Sequence, residues 1–329
     1  AFTNATWNVA FGLNYNHSFD DGYAYHAIDS LKKNRYRVNY NADASYKRDL
    51  LSTYANVQKH FSRTSLNWIT SYARNKDKQQ LDADFTYHDV FQNEKQSKQD
   101  LITQEINYQS AQKQKIDWTI GTFVFYKDLI NDYLATFGSE RHLLLPLDLD
   151  QVAYYNNTST WGIAGFSQLT VKDLLPGLFI TAGIRYDYEK AALSYRDSLL
   201  FHGDRQFSGY HDWKEKHAYA AWLPKFSILQ KWNEQLSTYL NISKGYKAGG
   251  YNIISNEMTT QVVELDYNKE SLWNYEIGAK YFSSNGRFNI NGALFYIDWK
   301  DQQILVMEMM GPMIKYAGDA RSIGGEIDL

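Results

Sequence analysis

The 329 residues carry 34 lysines and arginines against 37 aspartates and glutamates, a near balance without the concentrated positive charge that nucleic-acid binders show. No cysteine is present, which removes disulfides, zinc–cysteine sites and thiol nucleophiles together. Aromatic residues nevertheless make up 16% of the chain, 27 tyrosines among them, at a mean hydropathy of −0.54. Amphipathic rings in such number suit surfaces that are apolar at one end and wet at the other.

Apolar runs stay far below the roughly 18 residues of a membrane-spanning helix. The longest, such as "GLFITAGI" at 177–184, are strand-sized. The chain opens on Ala1 without a signal peptide and is expected to be processed or cut at both ends.

The first element is "WNVAFGLNYNHSF" at 7–19, where Trp7, Val9, Phe11, Leu13, Tyr15 and Phe19 alternate with smaller or polar residues. Period two is the mark of a strand. Further strands are expected at 44–59, 64–75, 99–110, 115–127 and 160–171. At 178–189, Ile180, Ala182, Ile184 and Tyr186 oppose Thr181, Gly183, Arg185 and Asp187. Strands at 218–230, 235–246, 272–281, 287–300 and 313–329 complete a set of about twelve. The charged side of each faces water, so Ile180 and Ala182 are expected to meet lipid and Thr181 the lumen. "RYRVNYNADASY" at 35–46 also alternates and is taken as a hairpin arm or an extension of the next strand.

The gaps decide the architecture. Tight gaps at 60–63, 111–114, 172–177, 231–234 and 283–286 alternate with long ones at 20–43, 76–98, 128–159, 191–217 and 247–269, and a shorter one at 301–312. Turns at one rim and loops at the other describe an all-β, antiparallel, up-and-down transmembrane β-barrel. The aromatic excess then has a cause, because Tyr126, Trp161, Tyr188, Trp222 and Trp299 fall near strand ends, where barrels carry aromatic girdles.

Catalytic and cofactor motifs fail on inspection. "YLNISKGYKAGGYN" at 239–252 sets its lysines before the glycine pair with no helix following, unlike a P-loop. "GDARSIGGE" at 318–326 lacks the dinucleotide spacing, and neither H-E-x-x-H nor G-x-S-x-G occurs. Asp82, Asp84 and Asp89 lack calcium-loop spacing and read as a solvated acidic loop. No enzyme activity, cofactor or metal site is expected.

In chain order, "LNWITSY", "TQEINYQS", "WTIGTFVFYKD", "LFITAGIRYDYE", "LPKFSI", "YLNISKGYKAGGYN", "NYEIGAKY", "ALFYIDWKDQQI" and "YAGDARSIGGEIDL" resemble the barrel of TonB-dependent outer-membrane receptors, closest in flavour to those for iron–siderophore complexes. The resemblance runs through essentially all of residues 1–329. It implies a bacterial outer-membrane receptor that takes up a scarce nutrient. Its partners would be outer-membrane lipid, TonB acting through an N-terminal plug region, and an extracellular small molecule. Family barrels have about 22 strands around a plug, so the chain is expected to be a central piece lacking the plug and the terminal strands, with its first and last strands unpaired by each other. A passive porin-type channel, or a TonB-dependent glycan or cobalamin receptor, are the alternatives. Arg141, His142, Tyr154, Tyr155, His202, Arg205, Lys247 and Tyr251 fall in the long loops and suit an anionic, aromatic siderophore complex, or equally a glycan.

Overall fold

The computed structural model describes residues 2–3, 6–22, 40–111, 114–144, 148–204, 206–207, 212–252, 266–308 and 311–329. In chain order the strands are β1 (Phe2–Thr3), β2 (Trp7–Asp20), β3 (Ser45–His60), β4 (Thr64–Asp82), β5 (Phe91–Ser110), β6 (Ile116–Phe137), β7 (Leu149–Lys172), β8 (Leu178–Phe201) and β9 (Asp212–Lys231). They continue as β10 (Leu236–Lys247), β11 (Gly250–Tyr251), β12 (Asp266–Tyr267), β13 (Glu270–Phe282), β14 (Asn289–Lys300), β15 (Gln303–Glu308), β16 (Gly311–Tyr316) and β17 (Ala320–Asp328). One 13-stranded antiparallel sheet runs β1 to β10 and then β13, β14 and β17, each strand beside its predecessor. β11 with β12, and β15 with β16, form two small separate sheets. β1 and β17 lie at opposite ends of the sheet and do not pair.

The twelve long strands match the expected segments one for one, but their long-loop ends do not. β7 and β8 each have 24 residues, where about 9–11 cross a bilayer. The expected loops at 76–98, 128–159 and 191–217 are therefore mostly strand: β4 runs on to Asp82 and β5 starts at Phe91, β6 runs on to Phe137 and β7 starts at Leu149, and β8 runs on to Phe201 and β9 starts at Asp212. The segment at 313–329 is also two elements, β16 and β17, parted by a turn at Gly318 whose φ of 88° suits glycine. Of residues 35–46, 35–39 lie outside the described residues, 40–44 are not strand, and 45–46 open β3.

A change of face explains why the strands outrun their pattern. Asp187, Ala191, Leu193, Tyr195 and Asp197 of β8 are buried, so odd-numbered residues mark the concave side. Up to Tyr188 the even, outward face is Ile180, Ala182, Ile184 and Tyr186, while the concave face carries Thr181, Arg185 and Asp187. Beyond it the outward face turns polar, with Lys190, Ser194 and Arg196 exposed. There the concave face turns apolar, and Ala191, Leu193 and Tyr195 join Ala135, Phe137, Leu149, Val152 and Tyr154 in a buried core. Near the turns the sheet faces lipid outside and polar lumen inside. Farther up it stands in water on its outer side and packs a core on its inner one.

Aromatic residues mark the switch on the outer face. Trp161 lies 5.6 Å from Tyr188, and Tyr186 4.6 Å from Trp222, between ring centroids. On the concave side, rings lie across glycines directly opposite them. Phe125 faces Gly162 and Tyr239 faces Gly278, and a Cβ on either glycine would meet the ring well inside contact distance. Small residues opposite large ones let the inner surface of a curved sheet close up without collision.

Candidate functional site

Above the girdle, the concave face holds a cleft of about 530 Å³, floored by β6, β7 and β8 and walled by the segment following β10. Its floor sets Asn131 of β6 directly opposite Asn156 of β7, and both are buried. The Thr158 hydroxyl donates to the side-chain oxygen of Asn156 at 3.0 Å, which turns the amide N–H₂ to the free side. Neither amide nitrogen has a partner among the described residues. Native interiors rarely leave buried donors so.

Lys127 and Lys247 bring ammonium groups to this cleft, Tyr219, Tyr251 and Tyr267 bring phenols, and Glu189 brings a carboxylate. Glu189 accepts the Tyr246 hydroxyl at 2.5 Å. Burial pushes the Tyr251 hydroxyl up to about 12 and raises Tyr219 as well, so both remain neutral hydrogen-bond donors. Tyr251 donates to the Ala191 carbonyl at 3.3 Å, which fixes its ring. Donors outnumber acceptors here, which suits an oxygen-rich anion, and the tyrosine faces can take an apolar or aromatic portion.

The roof comes from the β15–β16 hairpin, which contributes Leu305 and Ile314 to the lining. Asn252 clamps it through both backbone groups of one residue, donating to the Ile314 carbonyl at 3.1 Å and accepting the Ile314 N–H at 2.7 Å. Gln303 donates to the Ala248 and Asn268 carbonyls at 3.1 and 2.9 Å. The buried Glu270 accepts the Gln303 backbone N–H at 2.6 Å.

The residues singled out in the sequence divide into separate places. Lys247 and Tyr251 line the cleft. Tyr154 lies in the adjoining core, between Tyr133 and Tyr195 at 5.7 and 6.3 Å. Arg141 starts a short 3₁₀ turn and ties its loop together, contacting Asp148 at 2.7 Å and Asp150 at 3.3 Å. His202 meets the same Asp150 at 3.1 Å, while His142 is exposed at the loop tip. Tyr155 points out from the opposite face of the sheet, 59% exposed. Arg205 lies outside the described residues. Asn131, Asn156, Lys127 and Glu189 were not singled out: the stretch at 128–159 that carries the two asparagines read as loop, and Lys127 and Glu189 close strands whose long-loop ends were expected there. The signal lay in their parity, which continues that of the concave face past the girdle.

The acidic loop at 82–89 is not the solvated stretch its composition implied. Asp82 is fully buried, accepting backbone N–H groups from Asn41 at 3.0 Å and Phe85 at 3.1 Å. Asp89 accepts the Ser139 N–H and hydroxyl at 2.9 and 3.0 Å. Glu140 in return accepts the Asp89 N–H and lies 2.9 Å from His88 Nδ1. These carboxylates bind loop to loop.

A family model described as "TonB dependent receptor-like, beta-barrel" matches residues 1–329. The chain belongs to this family. It is a family of transport receptors in the outer membrane of Gram-negative bacteria, and the outward apolar band with its girdle places this sheet there. The pesticin receptor of Yersinia pestis is 24% identical over 186 residues, 55% of this chain and 25% of that protein. The ferric yersiniabactin uptake receptor of Yersinia pestis has a TM-score of 0.80 at 18% identity, over 98% of this chain and 46% of that one. The siderophore receptor PiuA of Acinetobacter baumannii has a TM-score of 0.69 at 11% identity, over 98% and 51%. The chain thus spans about a quarter of the curated relative and about half of each solved receptor. The siderophore-receptor structures are matched in fold.

Proposed function

We propose that this barrel wall serves a gated receptor that takes up an anionic ferric complex, driven by TonB through a plug region N-terminal to the barrel. The observation that carries the reading is the donor-rich cleft. Two buried, unpartnered amide nitrogens, Asn131 and Asn156, lie with Lys127 and Lys247 at the outer mouth of a polar lumen. Carboxylate, phenolate or hydroxamate oxygens of a siderophore would accept from all four. A passive channel gains nothing from such donors, whereas a receptor gains affinity. The polar wall below, with the buried Asp187 held by Arg185 at 2.6 Å, suits a hydrated or polar filling of the lumen. Within the proposal, Lys247 and Tyr251 contact ligand, while Arg141 and His202 shape the loop above it.

The test is binding of ferric phenolate, catecholate and hydroxamate complexes to the purified protein, followed by tryptophan fluorescence. Replacing both floor amides, Asn131→Leu with Asn156→Leu, should weaken the preferred complex about tenfold to a hundredfold, the range for hydrogen bonds to charged groups. Undiminished binding in the double variant, or binding of neutral glycans alone, would rule the reading out. Uptake that persists when the inner membrane is de-energised would favour the passive channel.

A further inference from the structure

Glu189, the one carboxylate among the described residues lining the cleft, stands apart from the donors there. On the concave face, β6 to β9 set Phe125, Gly162, Glu189 and Tyr219 in one lateral row, each directly opposite the next. Lys127 heads the row above, and Asn131 and Asn156 lie two rows higher still. Strands about 4.8 Å apart and alternate residues about 6.6 Å apart put the Lys127 and Glu189 β-carbons about 12 Å from each other. Only the small Thr160 and Gly162 of β7 come between them. Glu189 has no ion pair among the described residues. Arg185, two rows below it, is held by Asp187 through two bonds of 2.7 and 2.6 Å.

Rings surround this carboxylate instead. Tyr219 is its direct neighbour on β9, and the Tyr246 hydroxyl donates to it at 2.5 Å. On its other side Phe125 lies across Gly162. A Cβ at Gly162 would come within 2.3 Å of the Phe125 ring and 3.0 Å of Glu189 Cγ, so glycine is what lets the ring and the carboxylate stem share this place. A carboxylate offers about four acceptor positions, and Tyr246 occupies one. Aromatic rings attract a cation through their quadrupole, more strongly where water is excluded, and a carboxylate adds a charge-assisted hydrogen bond. Both act on an ammonium, whereas a neutral hydroxyl or amide would gain only the hydrogen bond.

We propose that Glu189 seats a protonated amine, so that the complex taken by this cleft carries an ammonium beside its iron-chelating oxygens. The inference rests on the cleft as the ligand site and adds a selection to it. The oxygens accept from Lys127, Asn131 and Asn156 at one end, and the ammonium reaches Glu189 at the other. A complex with oxygens alone would set negative charge against Glu189, and discrimination comes from that repulsion as much as from the attraction.

The experiment measures binding to the purified receptor of one ferric tricatecholate in two forms, its pendant primary amine free or acetylated. The free-amine form should bind about tenfold to a hundredfold tighter, the range for hydrogen bonds to charged groups. Glu189→Gln, which can still accept from Tyr246, should bring the two forms to equal affinity. Glu105→Gln removes the same charge from the concave face of β5, opposite Phe123, and should keep the preference. Equal affinity of the two forms for the unaltered receptor overturns the inference and leaves the cleft reading in place. A preference that survives Glu189→Gln does the same, as does one that Glu105→Gln removes equally, which would make it an effect of overall charge. Should Glu189→Gln not fold, the comparison of the two forms in the unaltered receptor and in Glu105→Gln decides. Asn131→Leu with Asn156→Leu should weaken both forms by the same factor. If it weakens neither while the preference persists, the amine seat stands and the floor amides lose their role. Binding of neither form overturns both.

Discussion

At the residue scale, charged side chains near the outer rim act mainly on one another. The pair Asp89 and Glu140 joins the 83–90 loop to the segment at 138–140 through three backbone or hydroxyl donors and His88. The Ser139 N–H and hydroxyl hold the Asp89 carboxyl below its usual range, and His88 with the Asp89 N–H does the same for Glu140. A carboxyl depressed in the folded state contributes fully above its unfolded value, about 4, and loses that contribution as pH falls through the folded one. Loop docking should therefore loosen in acid and be indifferent to alkali. Amide hydrogen exchange at Asp89 and Ser139 between about pH 7 and about pH 3 measures this, and Asp89→Asn should remove most of the acid step. Loosening on the alkaline side would contradict the assignment. The same economy accounts for Arg141, which its own loop's aspartates occupy, whereas Lys127 and Lys247 remain available to the cleft.

At the scale of the element, each long strand carries two faces that exchange roles at the girdle. Position along β8 should therefore decide the effect of a new arginine as much as the face does. Ala182→Arg, outward within the lipid band, should cost on the order of 2–4 kcal/mol, and Ala192→Arg, on the same face but above the girdle, should be tolerated. Thr181→Arg, facing the lumen, should be tolerated, but Leu193→Arg should unfold the outer core, since Leu193 is buried there. Heat-modifiable folded protein measures all four, and a uniform response along either face would dissolve the two-zone description. This exchange also sets what the sequence could reveal. The lipid-facing halves were legible because Ile180, Ala182, Ile184 and Tyr186 alternate against polar partners under one strong solvent contrast. Beyond Tyr188 the apolar set moves to Ala191, Leu193 and Tyr195, and a pattern read at fixed phase stops there. The cleft was hidden for the same reason. Lys127, Glu189 and Lys247 lie at recognisable strand ends, but nothing in the sequence joins those ends, and Asn131 and Asn156 become a pair only through the β6–β7 register.

At the scale of the molecule, long strands and short turns give the sheet a direction, and its edges determine what must adjoin it. A tag inserted after His142 or Gly203 should be reachable on intact cells, and one after Asn285 only once the outer membrane is broken. The edges raise a stricter question. β17 pairs with β14 on one side only, and Ile323 and Ile327 on its outward face are 83% and 76% exposed. At the other end, β1 covers β2 only at Val9 and Asn8, leaving the edge from Phe11 onward unpaired among the described residues. In lipid each unpaired backbone group costs several kcal/mol, so the sheet is stable only when both edges meet strands. They could meet each other, but a barrel this small would need a different tilt and shear and a narrower lumen. We propose instead that further strands join the two edges, so that β2 and β17 stand apart in the folded protein. The absence of cysteine from these 329 residues lets introduced pairs report on this. Tyr296→Cys with Ile323→Cys, directly opposite across β14 and β17, should oxidise to a disulfide, since facing Cα atoms about 4.5–5.5 Å apart permit one. Phe11→Cys with Ile323→Cys should stay reduced under the same conditions. Efficient cross-linking of Phe11 to Ile323 in folded, membrane-inserted protein would mean that the sheet closes on itself, and the wider barrel would have to be abandoned.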